Sequence, residues 1–218
     1  MAVVPLTPDR RRELTRNVLM DAAAEVFARR GFYGASLEEI AETAGFSRGA
    51  IYSNYGSKED LLLAVAERYH RMILGVFATA LESDRHLPGT QRAAAAGALW
   101  KDMVRRDANF LALHLEFRLH ALRNEEFRRR FAEVQRQQTA EIARLIEREA
   151  ETQSMRLRLS SEDFAEIFNA TSIGLLESAG VDRENAKRYD DLAQRFFVLM
   201  AESIVDAGKP PDVSRHHS

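Results

Sequence analysis

The 218 residues are 45% hydrophobic and 29% charged with a formal net charge of -2. That composition suits a folded chain and excludes both a disordered polyelectrolyte and a histone-like basic protein, so any nucleic-acid contact has to be local. The chain has no cysteine, which rules out disulfides, thiolate nucleophiles and cysteine-ligated zinc or iron–sulfur centres. No segment approaches the roughly 18 apolar residues of a membrane span, and the short apolar start before "DRRR" is not a signal-peptide core, so a cytoplasmic protein is expected.

Alternating β-branched runs are missing, whereas i, i+3, i+4 apolar spacing recurs from Leu14 to Ile204. The expected fold class is therefore all-α. Leu14, Val18, Ala22, Val26 and Phe27 form the stripe of a first helix that stops at Gly31. In "SLEEIAETAG", Ser36 and Glu39 have the spacing of a capping box, and Leu37, Ile40, Ala41 and Ala44 form the inner side of a second helix. Gly45 permits the left-handed corner that ends it. Ser47 is placed to cap a third short helix, with Ile51 inward, Arg48, Gly49, Tyr52 and Ser53 outward, and a break at Gly56.

Ser57 with Asp60 opens a much longer helix, striped by Leu62, Val65, Tyr69 and Val76 and punctuated by "HLPGT" at His86 to Thr90. Further helices are predicted at about 91–106, 109–123, 125–151, 161–179 and 184–207, with a flexible tail over 208–218. Short helices thus give way to long ones near Gly56. The expected organisation is a three-helix head over 1–60, including an N-terminal arm, on a larger helical body over 61–207.

Two short helices around a glycine corner, the second presenting small and polar residues, match the helix-turn-helix that lays a helix in the DNA major groove. The stretch "AAAEVFARRGFYGASLEEIAETAGFSRGAIYSNYGSKEDLL" strongly resembles the amino-terminal domain of the tetracycline-repressor (TetR) family of bacterial regulators. The resemblance spans roughly Thr15 to Leu63 and rests on Phe27-x-x-x-Gly31, Ser36-Leu37-x-x-Ile40-Ala41, Ala44-Gly45-Phe46-Ser47, Ile51-Tyr52, Tyr55 and Lys58-x-x-Leu61. It implies a homodimer whose two heads straddle a palindromic operator, with a small-molecule effector in the body releasing a repressor. A constitutive or corepressor-dependent DNA-binding regulator is the alternative.

The same resemblance makes Ser36, Tyr52, Tyr55 and Lys58 phosphate contacts, each carrying a suitable donor. The helix start at Ser47 adds oriented backbone N–H groups. Base reading falls to Arg48, Gly49, Ala50 and Ser53. Arg48 can grip guanine O6 and N7 bidentately, while Gly49 and Ala50 allow close approach. Glu38 stands where some relatives carry a cationic reader and is expected to face solvent. Arg10, Arg11, Arg12 and Arg16 could serve a minor-groove arm.

In the body, Phe110, Leu111, Leu113, Leu115, Phe117, Leu119 and Leu122 cover most of one helix, which predicts a central, surrounded element. Glu116, His120 and Arg123 fall on one face of it. With Trp100, Met103, Phe110, His114 and Phe117, Glu116 and His120 are the expected walls of a pocket for a small, largely apolar, roughly neutral effector. No metal or other cofactor is expected: Glu116-x-x-x-His120 occurs once, without the carboxylate-rich second helix of a di-metal site. Phosphate-binding glycine loops and a G-x-S-x-G elbow are absent from the sequence, so no enzymatic activity is expected. Ala170, Gly174 and Ser178 recur every four residues and form a smooth stripe. With Phe164, Phe168, Phe196, Leu199 and Met200 they are the expected dimer interface, a four-helix bundle between subunits to which Ile167 and Ile204 add apolar area.

Overall fold

The computed structural model describes residues 7–82, 89–152, 155–202 and 204–206. They belong to two compact units, one from Met1–Arg71 with Asp107–Val134 and the other from Met72–Arg106 with Gln135–Ser218. The unit holding the short helices therefore takes in far more of the chain than 1–60.

In the first unit, helix α1 runs over Pro8–Gly34, with Thr7 accepting from the Arg10 N–H and proline in its first turn. Arg10, Arg11, Arg12 and Arg16 stand in the opening turns of this helix; the segment before Thr7 lies outside the described residues. Leu19, Val26 and Phe27 are fully buried, whereas Leu14 and Val18, expected in the same stripe, are exposed. The apolar spacing begins before burial does. Near its end α1 is interrupted at Gly31, whose φ of 69° and ψ of 167° lie in a region open essentially to glycine alone.

Helix α2 (Leu37–Ala44) starts with the Ser36 hydroxyl accepting from the Glu39 N–H at 3.0 Å. Only this half of the capping box forms, because the Glu39 carboxylate accepts from Arg29 at 2.8 Å and Arg30 at 3.4 Å instead. Gly45, at φ 71° and ψ 27°, closes the helix in the left-handed conformation. Helix α3 (Arg48–Tyr55) follows; Ser47 occupies its N-cap position, yet its side chain makes no capping hydrogen bond. Helix α4 (Lys58–Glu82) opens with Ser57, which accepts from the Asp60 N–H at 3.0 Å and donates to the Asp60 carboxylate at 2.6 Å.

Helix α6 (Phe110–Arg123) packs against α1 inside this unit. It buries Phe110, Leu113, Phe117, His120 and Ala121 but leaves Leu115, Leu119 and Leu122 exposed. The sequence reading of a helix surrounded on all sides is corrected accordingly: its apolar residues encircle it, but packing covers one side. Asn124 accepts from the Phe127 N–H at 2.9 Å at the start of helix α7 (Glu125–Thr152), whose first residues complete the unit.

In the second unit, helix α5 (Gly89–Arg106) lies against α9 (Ala186–Glu202), and α9 against α8 (Ser161–Val181). The approach of α5 and α9 is close enough that a Cβ on Gly97 would sit 3.1 Å from Phe197. Phe77 meets Phe168 edge-on at 5.1 Å, and Phe168 meets Phe197 at 4.7 Å and stacks on Phe196 at 5.7 Å. Ile142, Ala143 and Ala165 form a neighbouring core patch. The described residues are overwhelmingly helical, as expected of an all-α fold, with one short antiparallel pair added: β1 (Met155–Leu157) aligns Arg156 with Val205 of β2 (Ile204–Asp206). The last helix therefore ends at Glu202 and not near 207. The tail expected over 208–218 lies outside the described residues.

Candidate DNA-binding surface

The corner between α2 and α3 is built by Gly45, followed by Phe46, whose N–H bonds the Ala41 carbonyl at 2.9 Å. Fully buried Ile40 and Ile51 hold the two helices from beneath. That leaves one side of α3 outward: Ser47, Arg48, Gly49, Tyr52 and Ser53 are exposed, and Ala50 is half-buried. This is the set expected for base reading and for the helix start. Ser36 is also exposed, its oxygen serving as the α2 cap.

The exposed charges are arranged in a small network. Arg48 pairs with Glu38 on α2 and donates to the Tyr52 hydroxyl at 2.7 Å, with its guanidinium 5.2 Å from the centre of the Tyr52 ring. The Tyr52 hydrogen bond, then the Glu38 charge, raise the Arg48 pKa above its ordinary value. Glu38 is solvent-exposed as expected, but it also holds the one arginine best suited to read a base. Sequence spacing gave no sign of this pair, since it depends on how two short helices cross at the Gly45 corner.

Two expected phosphate contacts are turned inward. Tyr55 is 9% exposed and donates through its hydroxyl to the Arg16 carbonyl at 2.7 Å, while the Arg16 guanidinium lies 4.3 Å from its ring centre and donates to the Asn54 carbonyl. Burial pushes the Tyr55 hydroxyl pKa up, against the opposing charge of Arg16. The Lys58 ammonium donates to the Ala35 carbonyl and sits 4.5 Å from the Phe32 ring centre. Burial lowers the Lys58 pKa. Both side chains tie helices together, which gives each a positioning role; the buried Tyr55 hydroxyl is thereby taken from the expected phosphate set, while the half-buried Lys58 ammonium keeps further donors.

The expected effector residues on α6 are corrected more sharply. Glu116 accepts from the Phe32 N–H at 2.9 Å, and a Cβ on Gly31 would meet its carboxylate at 3.1 Å. The carboxylate thus satisfies a backbone donor freed by the interruption of α1. His120 is 2% exposed, packs on Phe32 at 3.8 Å and on Phe127 at 4.6 Å, and is held below its ordinary pKa, chiefly by burial. Phe117 meets Phe131 at 6.1 Å, Phe110 meets Tyr69 at 5.8 Å, and His114 accepts from Arg118 at 2.9 Å. Phe110, His114, Glu116, Phe117 and His120 all belong to the unit that carries α3, whereas Trp100 and Met103 belong to the other. Of the seven, Trp100 alone lines the cavity of about 380 Å³ among α5, α8 and α9.

The expected dimer residues divide as well. Phe164 and Phe168 are buried within the chain, whereas Ile167, Ala170, Gly174 and Leu199 are exposed, and Ser178, Phe196 and Met200 are intermediate. A Cβ on Gly174 would meet nothing within 4 Å.

Residues 19–65 match the family described as "Bacterial regulatory proteins, tetR family". The chain is 33% identical over 105 residues to the HTH-type transcriptional activator FasR of Mycolicibacterium smegmatis, covering 48% of this chain and 47% of FasR. It is thus aligned with about half of that relative's length. It is 26% identical over 196 residues to the HTH-type transcriptional repressor AcnR of Corynebacterium diphtheriae, covering 88% of this chain and 95% of AcnR. Its fold is similar to the crystal structure of FadR from Bacillus subtilis, solved in complex with stearoyl-CoA, with a TM-score of 0.69, 17% identity, and coverage of 86% of this chain and 98% of that one. Residues 19–65, with their glycine corner and the outward face of α3, thus match the tetR family of bacterial regulatory proteins, and the fold of the chain is similar to that of a solved transcriptional regulator.

Proposed function

We propose that this chain is a cytoplasmic repressor that binds an inverted-repeat operator as a homodimer and leaves it when a small apolar effector binds. The observation that carries the DNA-binding part is the outward face of α3, where Arg48, Gly49, Tyr52 and Ser53 stand exposed on a helix whose other side is anchored by Ile51. Arg48 would leave Glu38 to grip a guanine edge, Gly49 and Ala50 would let the helix approach the groove floor, and Ser36, Ser47 and Tyr52 would meet phosphates.

The sign of regulation follows the relative aligned over nearly its whole length, AcnR, which is named a repressor; FasR, aligned over half of its length, is named an activator. Effector control is supported by FadR, a similar fold solved with stearoyl-CoA. Among the described residues no helix is long and apolar enough to cross a membrane, in keeping with a cytoplasmic regulator. Self-association falls to the exposed stripe of α8 and α9, namely Ile167, Ala170 and Gly174 with Leu192 and Leu199. Release obeys linkage: an effector weakens DNA binding only by its preference for the DNA-incompetent state, and DNA weakens effector binding by the same factor.

The test is a fluorescence-anisotropy titration of an operator duplex and a scrambled duplex at several salt concentrations. Arg48→Ala is expected to lose about 1–3 kcal/mol of the preference for the operator while keeping affinity for the scrambled duplex and the wild-type salt slope. Equal preference in wild type and variant would remove Arg48 from base reading.

A further inference from the structure

Glu38 and Arg48 meet on the outer side of the α2–α3 corner. Glu38 stands in the first turn of α2, where Leu37, Ile40 and Ala41 are buried and Glu38 itself is exposed. Arg48 opens α3 on the other side of Gly45 and is exposed as well. A hydrogen bond and ion pair join the two, and among the described residues Glu38 has no other side-chain partner. The neighbouring acid is used differently: Glu39 accepts from Arg29 and Arg30 of α1 and serves the fold.

The bond between Glu38 and Arg48 is weakly held. The side chains are 53% exposed for Arg48 and 54% for Glu38, and an ion pair so open to water contributes little, so opening it costs little. Tyr52, one turn along α3, accepts from the other terminal nitrogen of Arg48 at 2.7 Å, which keeps the guanidinium tethered when Glu38 lets go. A duplex that draws Arg48 onto a guanine therefore leaves the Glu38 carboxylate beside the major groove. That group accepts hydrogen bonds and donates none. Unpaired, it would lose water and face phosphates of its own sign, both of which disfavour the complex.

The floor of the major groove holds two kinds of donor able to satisfy a carboxylate, the N4 amino group of cytosine and the N6 amino group of adenine. The partner already assigned to Arg48 decides between them. Across a G·C pair the groove offers two adjacent acceptors, guanine N7 and O6, and then one donor, cytosine N4. A guanidinium with a carboxylate at its side presents the complement, two donors and then an acceptor. An A·T pair alternates acceptor, donor and acceptor, so its one donor falls where the guanidinium would donate.

We propose that Glu38 is a second base reader: on the operator its bond to Arg48 is exchanged for one to the N4 amino group of the cytosine paired with the guanine that Arg48 grips. The assignment rests on the reading of α3 given above and adds a residue of α2 to it. It also replaces the merely solvent-facing role expected of Glu38 from the sequence.

The probe is the duplex that the wild-type full chain selects from a random pool, with each cytosine of a half-site replaced in turn by N4-methylcytosine and each guanine by 7-deazaguanine. The first analogue keeps the base pair and puts a methyl group in the place of the major-groove amino hydrogen; the second removes the N7 acceptor. In fluorescence anisotropy, N4-methylcytosine at one position should weaken wild type about tenfold and leave Glu38→Ala within about twofold. At the guanine paired with it, 7-deazaguanine should weaken both proteins alike. Glu38→Ala should also narrow the gap between operator and scrambled duplex about fivefold, with an unchanged melting temperature showing that this exposed position is not needed by the fold. Equal losses of wild type and Glu38→Ala at every N4-methylcytosine, or a Glu38→Ala variant that binds operator and scrambled duplex more tightly by the same factor, would overturn the reader and leave Glu38 a source of repulsion only. Insensitivity of wild type to 7-deazaguanine at every guanine is a separate failure, that of Arg48 as guanine reader, and the N4-methylcytosine comparison still decides Glu38.

Discussion

Replacing Gly31 and Glu116, singly and together, probes the joint that holds α6 to α1. Gly31→Ala forces a side chain into a backbone region that only glycine occupies readily, at about 1–3 kcal/mol. The added Cβ also meets the Glu116 carboxylate at 3.1 Å and pushes it from the Phe32 N–H, which it now holds at 2.9 Å. A hydrogen bond to a charged group contributes about 1.5–3 kcal/mol, so the single variant should lose about 2.5–6 kcal/mol in all. Glu116→Ala should lose about 1.5–3 kcal/mol on its own. Because Gly31→Ala has already cost the cap, the double variant should be more stable than the sum of the two losses predicts, by about the worth of that hydrogen bond, 1.5–3 kcal/mol. Urea denaturation followed by circular dichroism measures all three. Additive losses, within about 0.5 kcal/mol, would refute the claim that Glu116 and Gly31 act as one device.

Lys58→Ala should lower the melting temperature of the protein, because its ammonium ties α4 to the Ala35 carbonyl, and should leave the salt slope of operator binding unchanged. An unchanged melting temperature with a slope reduced by about one would restore its phosphate role. Acidification should also weaken the fold. Burial, aided by Arg71 and Arg118 respectively, lowers His70 and His114 from 6.5 to about 4. Between those values the unfolded chain binds protons that the folded chain refuses, so stability is full above about pH 6.5 and falls as pH drops through the window. A double His70→Gln, His114→Gln variant should flatten stability between pH 6.5 and 4.5, and an unchanged slope in chemical denaturation would show that these groups do not set it. Gly174→Leu should fold normally, since a Cβ there meets nothing within 4 Å, yet sediment as a monomer; a tight dimer would exclude this stripe from the interface.

The short helices were legible because their signals are local. Ser36 and Ser57 cap as their spacing predicts, Gly45 turns the corner, and Ile40 and Ile51 fall inward, so the outward set on α3 follows from periodicity. What the sequence hid are contacts between residues far apart in the chain. The periodicity of α6 shows that Glu116 and His120 share a face but not that this face meets Phe32, 84 residues from Glu116, and so a structural cap resembled a pocket wall. Lys58 and Tyr55 have donors suited to phosphate, and only the fold shows those donors on the Ala35 and Arg16 carbonyls. The cavity among α5, α8 and α9 was half legible. Trp100 belonged to the expected wall, whereas Ser172, which also lines it, reads in sequence as an ordinary helical serine.

The central claim is that this chain recognises DNA sequence through the outward face of α3. Selection of bound duplexes from a random pool, performed in parallel with wild type and Arg48→Ala, tests it most directly. Wild type should enrich an inverted repeat, and the variant should enrich the same repeat with one position of each half-site relaxed. Recovery of no shared sequence by wild type, or an identical repeat with every position equally sharp in both selections, would contradict the account.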